Sequence, residues 1–255
     1  ATAAIGLVGW IAFHRFPRAR ATPLGEDRRP IASFVLQSSA ATGVLSVRSG
    51  LAPLLLGAVT STTQVGYFRV AQAPQSGFAA LSAPARMVLL TEQTRDWERG
   101  RQSAVLRGVR RFSLAALGLC VVAVPLLLVY LPDLIRWIYK PQFSPAVGAA
   151  RVFVLVAAVQ LVLGWTKSFP VSIGRPGLRI WTHGIETLVM LPLVVVLGAH
   201  WGATGAAVAV LAGTVVFAAV WVAVLVRIHP EDVEPPAALD ETLAETQAET
   251  AALIR

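Results

Sequence analysis

The stretch IASFVLQSSAATGVLSVRSGLAPLLLGAV, residues 31–59, decides the fold. A bilayer's hydrocarbon core is about 30 Å thick and takes roughly 20 mostly apolar residues to cross as a helix. Phe34, Val35, Leu36, Val44, Leu45, Val47, Leu51 and Leu54–Leu56 supply that apolar length, and Arg48 lies well inside both ends. A charge at that depth costs at least about 2.5 kcal/mol, so such a residue faces a wet cavity or a partner and marks a pathway. The stretch therefore reads as a membrane span of a transport protein, with Arg48 among the residues that meet the cargo.

Composition agrees with a membrane protein. Hydrophobic residues make up 55% of the chain and charged residues only 14%, and mean hydropathy is +0.65. Soluble domains carry roughly 25% charged residues. The apolar runs have helical length and lack the period-2 alternation of an outer-membrane barrel. The expected fold is all-α, a polytopic transmembrane helix bundle. The single Cys120 sits in an apolar run, which excludes a disulfide framework or a thiolate metal cluster.

Charge distribution orients the spans. Residues 1–14 read as the end of a truncated transmembrane helix, and residues 15–30 as a cytoplasmic linker holding Arg15, Arg18, Arg20, Arg28 and Arg29. Residues 31–228 read as a six-span lobe: 31–59 outward, 66–90 back, 112–130 outward, then a short interfacial segment over 131–146. Spans over 147–165, 178–198 and 205–226 follow. Lys and Arg concentrate in alternate loops, which makes those loops and the C-terminus cytoplasmic. Residues 229–255 form an acidic tail with seven of the fourteen Asp and Glu residues, expected to be disordered or a short isolated helix.

Within the second span Arg69, Gln72, Ser76, Ala79, Ala83 and Arg86 recur at steps of three and four and share one helical face. Pro53, Pro74 and Pro84 are expected to kink or break their helices. Arg179, His183 and Glu186 share a face of the fifth span, which reads either as a proton-carrying pair or as a self-neutralising cluster near the membrane edge. Trp137, Trp165, Trp181, Trp201 and Trp221 fall near span ends and read as interfacial anchors. Gly202 and Gly205 read as a tight turn and close helix packing. No phosphate-binding glycine loop followed by Lys and Ser or Thr is present, which argues against an ATPase, and the basic loops flank spans without interleaved aromatics, which argues against nucleic acid.

Four segments carry a resemblance. Gln64-Val65-Gly66-Tyr67-Phe68-Arg69-Val70-Ala71, Tyr139-Lys140-Pro141-Gln142-Phe143-Ser144-Pro145-Ala146, Gly174-Arg175-Pro176 and Gly202-Ala203-Thr204-Gly205-Ala206-Ala207-Val208-Ala209 occur in the order and spacing of the C-terminal half of an O-antigen-type oligosaccharide flippase. These flippases belong to the multidrug/oligosaccharidyl-lipid/polysaccharide exporter superfamily. The resemblance implies one six-helix lobe of a two-lobe alternating-access transporter in the bacterial inner membrane. Its cargo would be an undecaprenyl-pyrophosphate-linked oligosaccharide used in cell-surface polysaccharide or lipopolysaccharide O-antigen biosynthesis. It also implies as partners the N-terminal lobe, membrane lipids, and a polysaccharide polymerase or glycosyltransferases. Neither a cofactor nor covalent chemistry is expected. Many members carry an acidic residue in the span matching residues 31–59, and none stands here, so an ion-coupling role assigned to that acid does not transfer.

A pyrophosphate headgroup calls for cationic donors at depth, and Arg presents a fixed fork suited to phosphate. The expected headgroup ligands are Arg48, Arg69, Arg86 and Arg151, with His183 and Glu186 as the candidate ion-coupling pair. Two competing readings are a drug or metabolite exporter, which would call for buried acids, and a non-transporting scaffold for glycan-assembly enzymes.

Overall fold

The computed structural model describes residue 10 and residues 28–227 other than 176. The linker over 15–27, the acidic tail over 229–255 and the segment over 1–14, apart from the exposed, helical Trp10, lie outside the described residues. The chain divides into two compact units, Ala1–Ser33 and Phe34–Arg255. Of the first, residues 28–33 are helical. The second holds all that follows.

Helix α1 runs Arg28–Val59. Thr42 and Ser49 donate their hydroxyls to the carbonyls of Ser38 at 3.1 Å and Ser46 at 2.9 Å, so these two hydroxyls are satisfied within the helix. Ser61 caps α2, Thr62–Ala71, and α3 follows over Ala73–Glu98. The expected single span over 66–90 is thus broken at Gln72. Pro74 lacks an N–H and its ring clashes with the carbonyl four residues back, which ends α2 and starts α3; Pro53 and Pro84 remain inside their helices.

Helix α4 spans Gln102–Tyr139 without interruption. The interfacial segment expected over 131–146 is therefore mostly the end of this helix, Pro132 included. It stops where Lys140 takes a φ of 72° and Pro141 opens a 3-10 turn over Pro141–Phe143. Tyr139 and Tyr67 both set their rings edge-on to Phe143, with centroids 6.2 Å away in each case. Helix α5, Ala146–Val162, leads into a 3-10 turn over Gly164–Lys167 and the short α6, Phe169–Ser172. Helix α7 runs Gly177–Arg227 with a non-helical residue at Gly202, φ 58°.

At about 1.5 Å per residue α7 would be some 77 Å long, more than twice a bilayer core. It folds back on itself instead: a Cβ on Gly213 would lie 2.9 Å from the Met190 Cβ, so the two arms are packed as a hairpin. Among the described residues the architecture is all-α, and α1, α4 and α7 are each long and apolar enough to cross a membrane. Broad exposed apolar faces, as at Val121, Val122 and Val129 of α4, suit lipid contact.

Helix α5 sits centrally, packing on α2, α3, α4 and α7. Phe153, Val154 and Val156 are fully buried, as are Ala149 and Ala150 against the alanines Ala206, Ala207 and Ala209 of α7. Lipid tails are as apolar as these side chains, so helices associate here through close van der Waals packing of small residues. The hairpin tip is fastened to α2 by Gln64, whose side-chain oxygen accepts from the Ala203 N–H at 2.9 Å. That oxygen occupies the place a Gly202 side chain would need, and a Cβ on Gly205 would strike the Leu197 carbonyl.

Gln64→Ala is expected to lower stability by about 1–3 kcal/mol by leaving the Ala203 N–H unsatisfied. Gly202→Ala should cost at least as much, because it adds left-handed backbone strain to a collision. Thermal unfolding in detergent, with a conservative Gln64→Glu control that keeps the acceptor, checks both.

Candidate functional site

Arg48 projects from α1 and Glu186 from the first arm of α7, and their side chains form an ion pair between Nη1 and Oε1. The other Glu186 oxygen lies 3.0 Å from His183 Nδ1. Glu186 and His183 are buried, at 2% and 5% exposure.

His183 is held in place by stacking on Phe217 of the second α7 arm, centroids 4.8 Å apart and planes inclined by 12°. Phe217 belongs to an aromatic cluster with Trp165, Phe169 and Trp221. Gly213 permits this closeness: a Cβ there would come within 3.4 Å of the Glu186 carbonyl. The expectation that all five tryptophans anchor at the interface is corrected here. Trp137, Trp181 and Trp201 are exposed, whereas Trp165 and Trp221 are buried at 2% and 0%, because the second α7 arm and the turn after α5 face each other across the core.

A cavity of about 90 Å³ opens beside the ion pair, walled by Arg48, Gln160, Thr166, Lys167, His183 and Glu186. Gln160 and Lys167 also line an adjoining narrow hollow with Gln75, Ser82 and Arg86. Gln75 donates to the Gln160 side chain at 2.9 Å, and Arg86 folds back to the Ala79 carbonyl at 3.3 Å. Arg48 and Lys167 thus line the cavity with Glu186, and Arg86 lines the adjoining hollow with Lys167, so three cationic side chains stand around one carboxylate that is already paired with Arg48.

The structure brings together Arg48, His183 and Glu186, with Arg86 reached through Lys167. Arg69 and Arg151 are exposed and line neither hollow. The partner of Glu186 is Arg48 from another helix, rather than a cluster confined to Arg179, His183 and Glu186. Lys167, Gln75 and Gln160 are site residues that sequence reasoning missed. A lone glutamine in the apolar run before Gly164 was the available signal for Gln160; Lys167 is folded back toward the cavity by the 3-10 turn and α6.

Neither a protein-family model nor the sequence of a curated protein matches the chain. Among solved structures it is similar to the outward-facing conformation of a multidrug resistance MATE family transporter of the MOP superfamily, with 19% identity and a TM-score of 0.57. It is similar also to a MOP superfamily transporter from Pyrococcus furiosus Vc1, described as having a binding pocket of reverse polarity that suggests a different function, with 16% identity and a TM-score of 0.57. Each match covers 84% of this chain and 50% of the other, so the chain spans about half the length of the structures it matches. The fold is that of one lobe of a MATE-type transporter.

Removing one partner of the buried pair, in Arg48→Met or Glu186→Leu, is expected to destabilise by about 3–5 kcal/mol, and removing both by distinctly less, because no charge is then left unpaired. A double-mutant cycle on thermal unfolding in detergent gives the coupling; additive effects would show that the two charges do not interact.

Proposed function

We propose that this chain is one six-helix lobe of a membrane transporter whose cargo is an anionic, lipid-linked oligosaccharide, moved outward across the bacterial inner membrane by alternating access. The observation that carries the reading is the excess of Arg48 and Lys167 at the cavity, and Arg86 in the adjoining hollow, over the single, already paired Glu186. Guanidinium and ammonium groups in a poorly hydrated hollow hold phosphate oxygens through charge-assisted hydrogen bonds. The sequence resemblance to oligosaccharide flippases supplies the sugar and the polyprenyl carrier, together with the polymerase or glycosyltransferase partners, the paired N-terminal lobe and a cytoplasmic C-terminus.

A cationic drug calls for unpaired acids in the cavity. The one carboxylate there is committed to Arg48 and His183, so the charge balance favours an anion.

Glu186 occupies Arg48 in this state, as an internal substitute for the cargo's own negative charge. Cargo that takes Arg48 leaves Glu186 to His183, and a protonated imidazole holds the released carboxylate. His183 and Glu186 are in this way the groups through which a proton would couple to cargo binding.

In proteoliposomes holding the complete transporter, a fluorescent undecaprenyl-pyrophosphate oligosaccharide is expected to flip, and Arg48→Ala to slow flipping at least about tenfold, equivalent to about 1.4 kcal/mol. Absence of flipping by the native protein with several such lipids would overturn the cargo, and an undiminished rate in a well-folded Arg48→Ala would remove Arg48 from the path.

A further inference from the structure

Six arginines gather where α3 turns into α4. Arg95 and Arg99 stand at the end of α3, Arg101 at the turn, and Arg107, Arg110 and Arg111 in the opening turns of α4, all of them exposed. Val105 and Val109 of the same turns are buried, so Arg107, Arg110 and Arg111, at steps of three and four, form the opposite, outward face. Arg101 is paired with Asp96 at 2.6 Å. Among the described residues Arg107, Arg110 and Arg111 have no acidic partner.

The chain beyond α7 begins beside this surface. Val224 and Leu225, in the last turn of α7, pack on the same hydrophobic cluster as Trp97, Val105 and Val109. The segment 229–255, outside the described residues, therefore leaves the lobe next to the arginines. It carries Glu231, Asp232, Glu234, Asp240, Glu241, Glu245 and Glu249 against Arg255. Extended, the stretch from Glu231 to Glu249 reaches up to about 60 Å, whereas α4 rises only about 15 Å between Arg101 and Arg111. Glu241, Glu245 and Glu249 recur every four residues, the step that also separates Arg107 from Arg111. A segment tethered this close is present at about millimolar effective concentration. Lipid phosphates compete for Arg110 and Arg111, which adjoin the apolar run from Phe112. They are confined to the membrane surface, and Arg99 and Arg101 lie about 15 Å further along α4, beyond a Debye length of about 10 Å. Headgroups thus reach only part of the surface that the segment can cover.

We propose that the acidic segment 231–249 docks on the arginine face at the end of α3 and the start of α4, an intramolecular clasp that ties the end of α7 to the α3–α4 turn. The clasp uses no residue of the Arg48 cavity and is independent of what the cavity binds. Exposed carboxylate–guanidinium pairs are individually weak and screened by salt. The clasp therefore opens whenever the end of α7 and the α3–α4 turn move apart, and it reforms without a large barrier.

The test is the rate of disulfide formation between Ser103→Cys and Thr246→Cys. It is measured in the complete transporter with Cys120→Ala and no other cysteine, one copy per nanodisc, in discs with and without phosphatidylglycerol. Reversing the patch with Arg107→Glu, Arg110→Glu and Arg111→Glu is expected to slow the reaction about tenfold. Adding Glu241→Lys, Glu245→Lys and Glu249→Lys to that variant should restore the rate, and salt at about 1 M should slow the native pair by a similar factor. All of these substitutions lie on exposed or terminal positions, and the restored variant shows that the reversed patch still folds. Rates unaffected by charge reversal, or reversal that the lysines do not rescue, overturn the clasp. A native preference seen in phosphatidylcholine discs but lost with phosphatidylglycerol assigns the arginines to lipid headgroups and overturns it as well.

Discussion

An ionised side chain in the middle of a membrane protein must find a counter-charge or water, and the Arg48–Glu186 pair answers that requirement. Helix α1 exposes much of its apolar surface, including Phe34, Leu36, Val47 and Leu54, and meets the rest of the lobe through a few side chains. Leu56 against Gly198 and Arg48 against Glu186 are two of these fastenings. The second joins α1 to the carboxylate beside His183, so the α1 wall of the cavity is tied to α7 through this ion pair.

Close backbone approach shapes the α7 side of that junction. Three glycines of the α7 hairpin act at different places: Gly202 turns the chain, Gly205 clears the Leu197 carbonyl, and Gly213 lets the second arm lie on the turn that carries Glu186. Alanines of α5 and α7 then bury one another. In lipid, where apolar burial brings no gain over contact with hydrocarbon tails, this close packing and internal hydrogen bonds such as Gln64 to Ala203 supply the cohesion.

In the reading proposed above, an anionic ligand would compete with Glu186 for Arg48, and His183, 3.0 Å from the other carboxylate oxygen, would keep the displaced carboxylate. Arg86 and Lys167 extend the positive surface toward α3, where the polar hollow adjoins an apolar groove.

Hydrophobic length and helical period were legible in the chain by itself, and they determined the all-α class and the turn at Gly202, because lipid imposes about 20 apolar residues per crossing and self-satisfied backbones. Pro74 showed that a break was coming, and the break fell at Gln72. What only the tertiary structure decided is which charges meet. Arg48 and Glu186 are 138 positions apart, and one-dimensional spacing resolves neighbours within a helix but not between helices. That is why Glu186 read only with its helix neighbours Arg179 and His183, why Lys167 did not read as a site residue, and why Arg69 and Arg151, indistinguishable in sequence from Arg86, stand exposed outside the cavity.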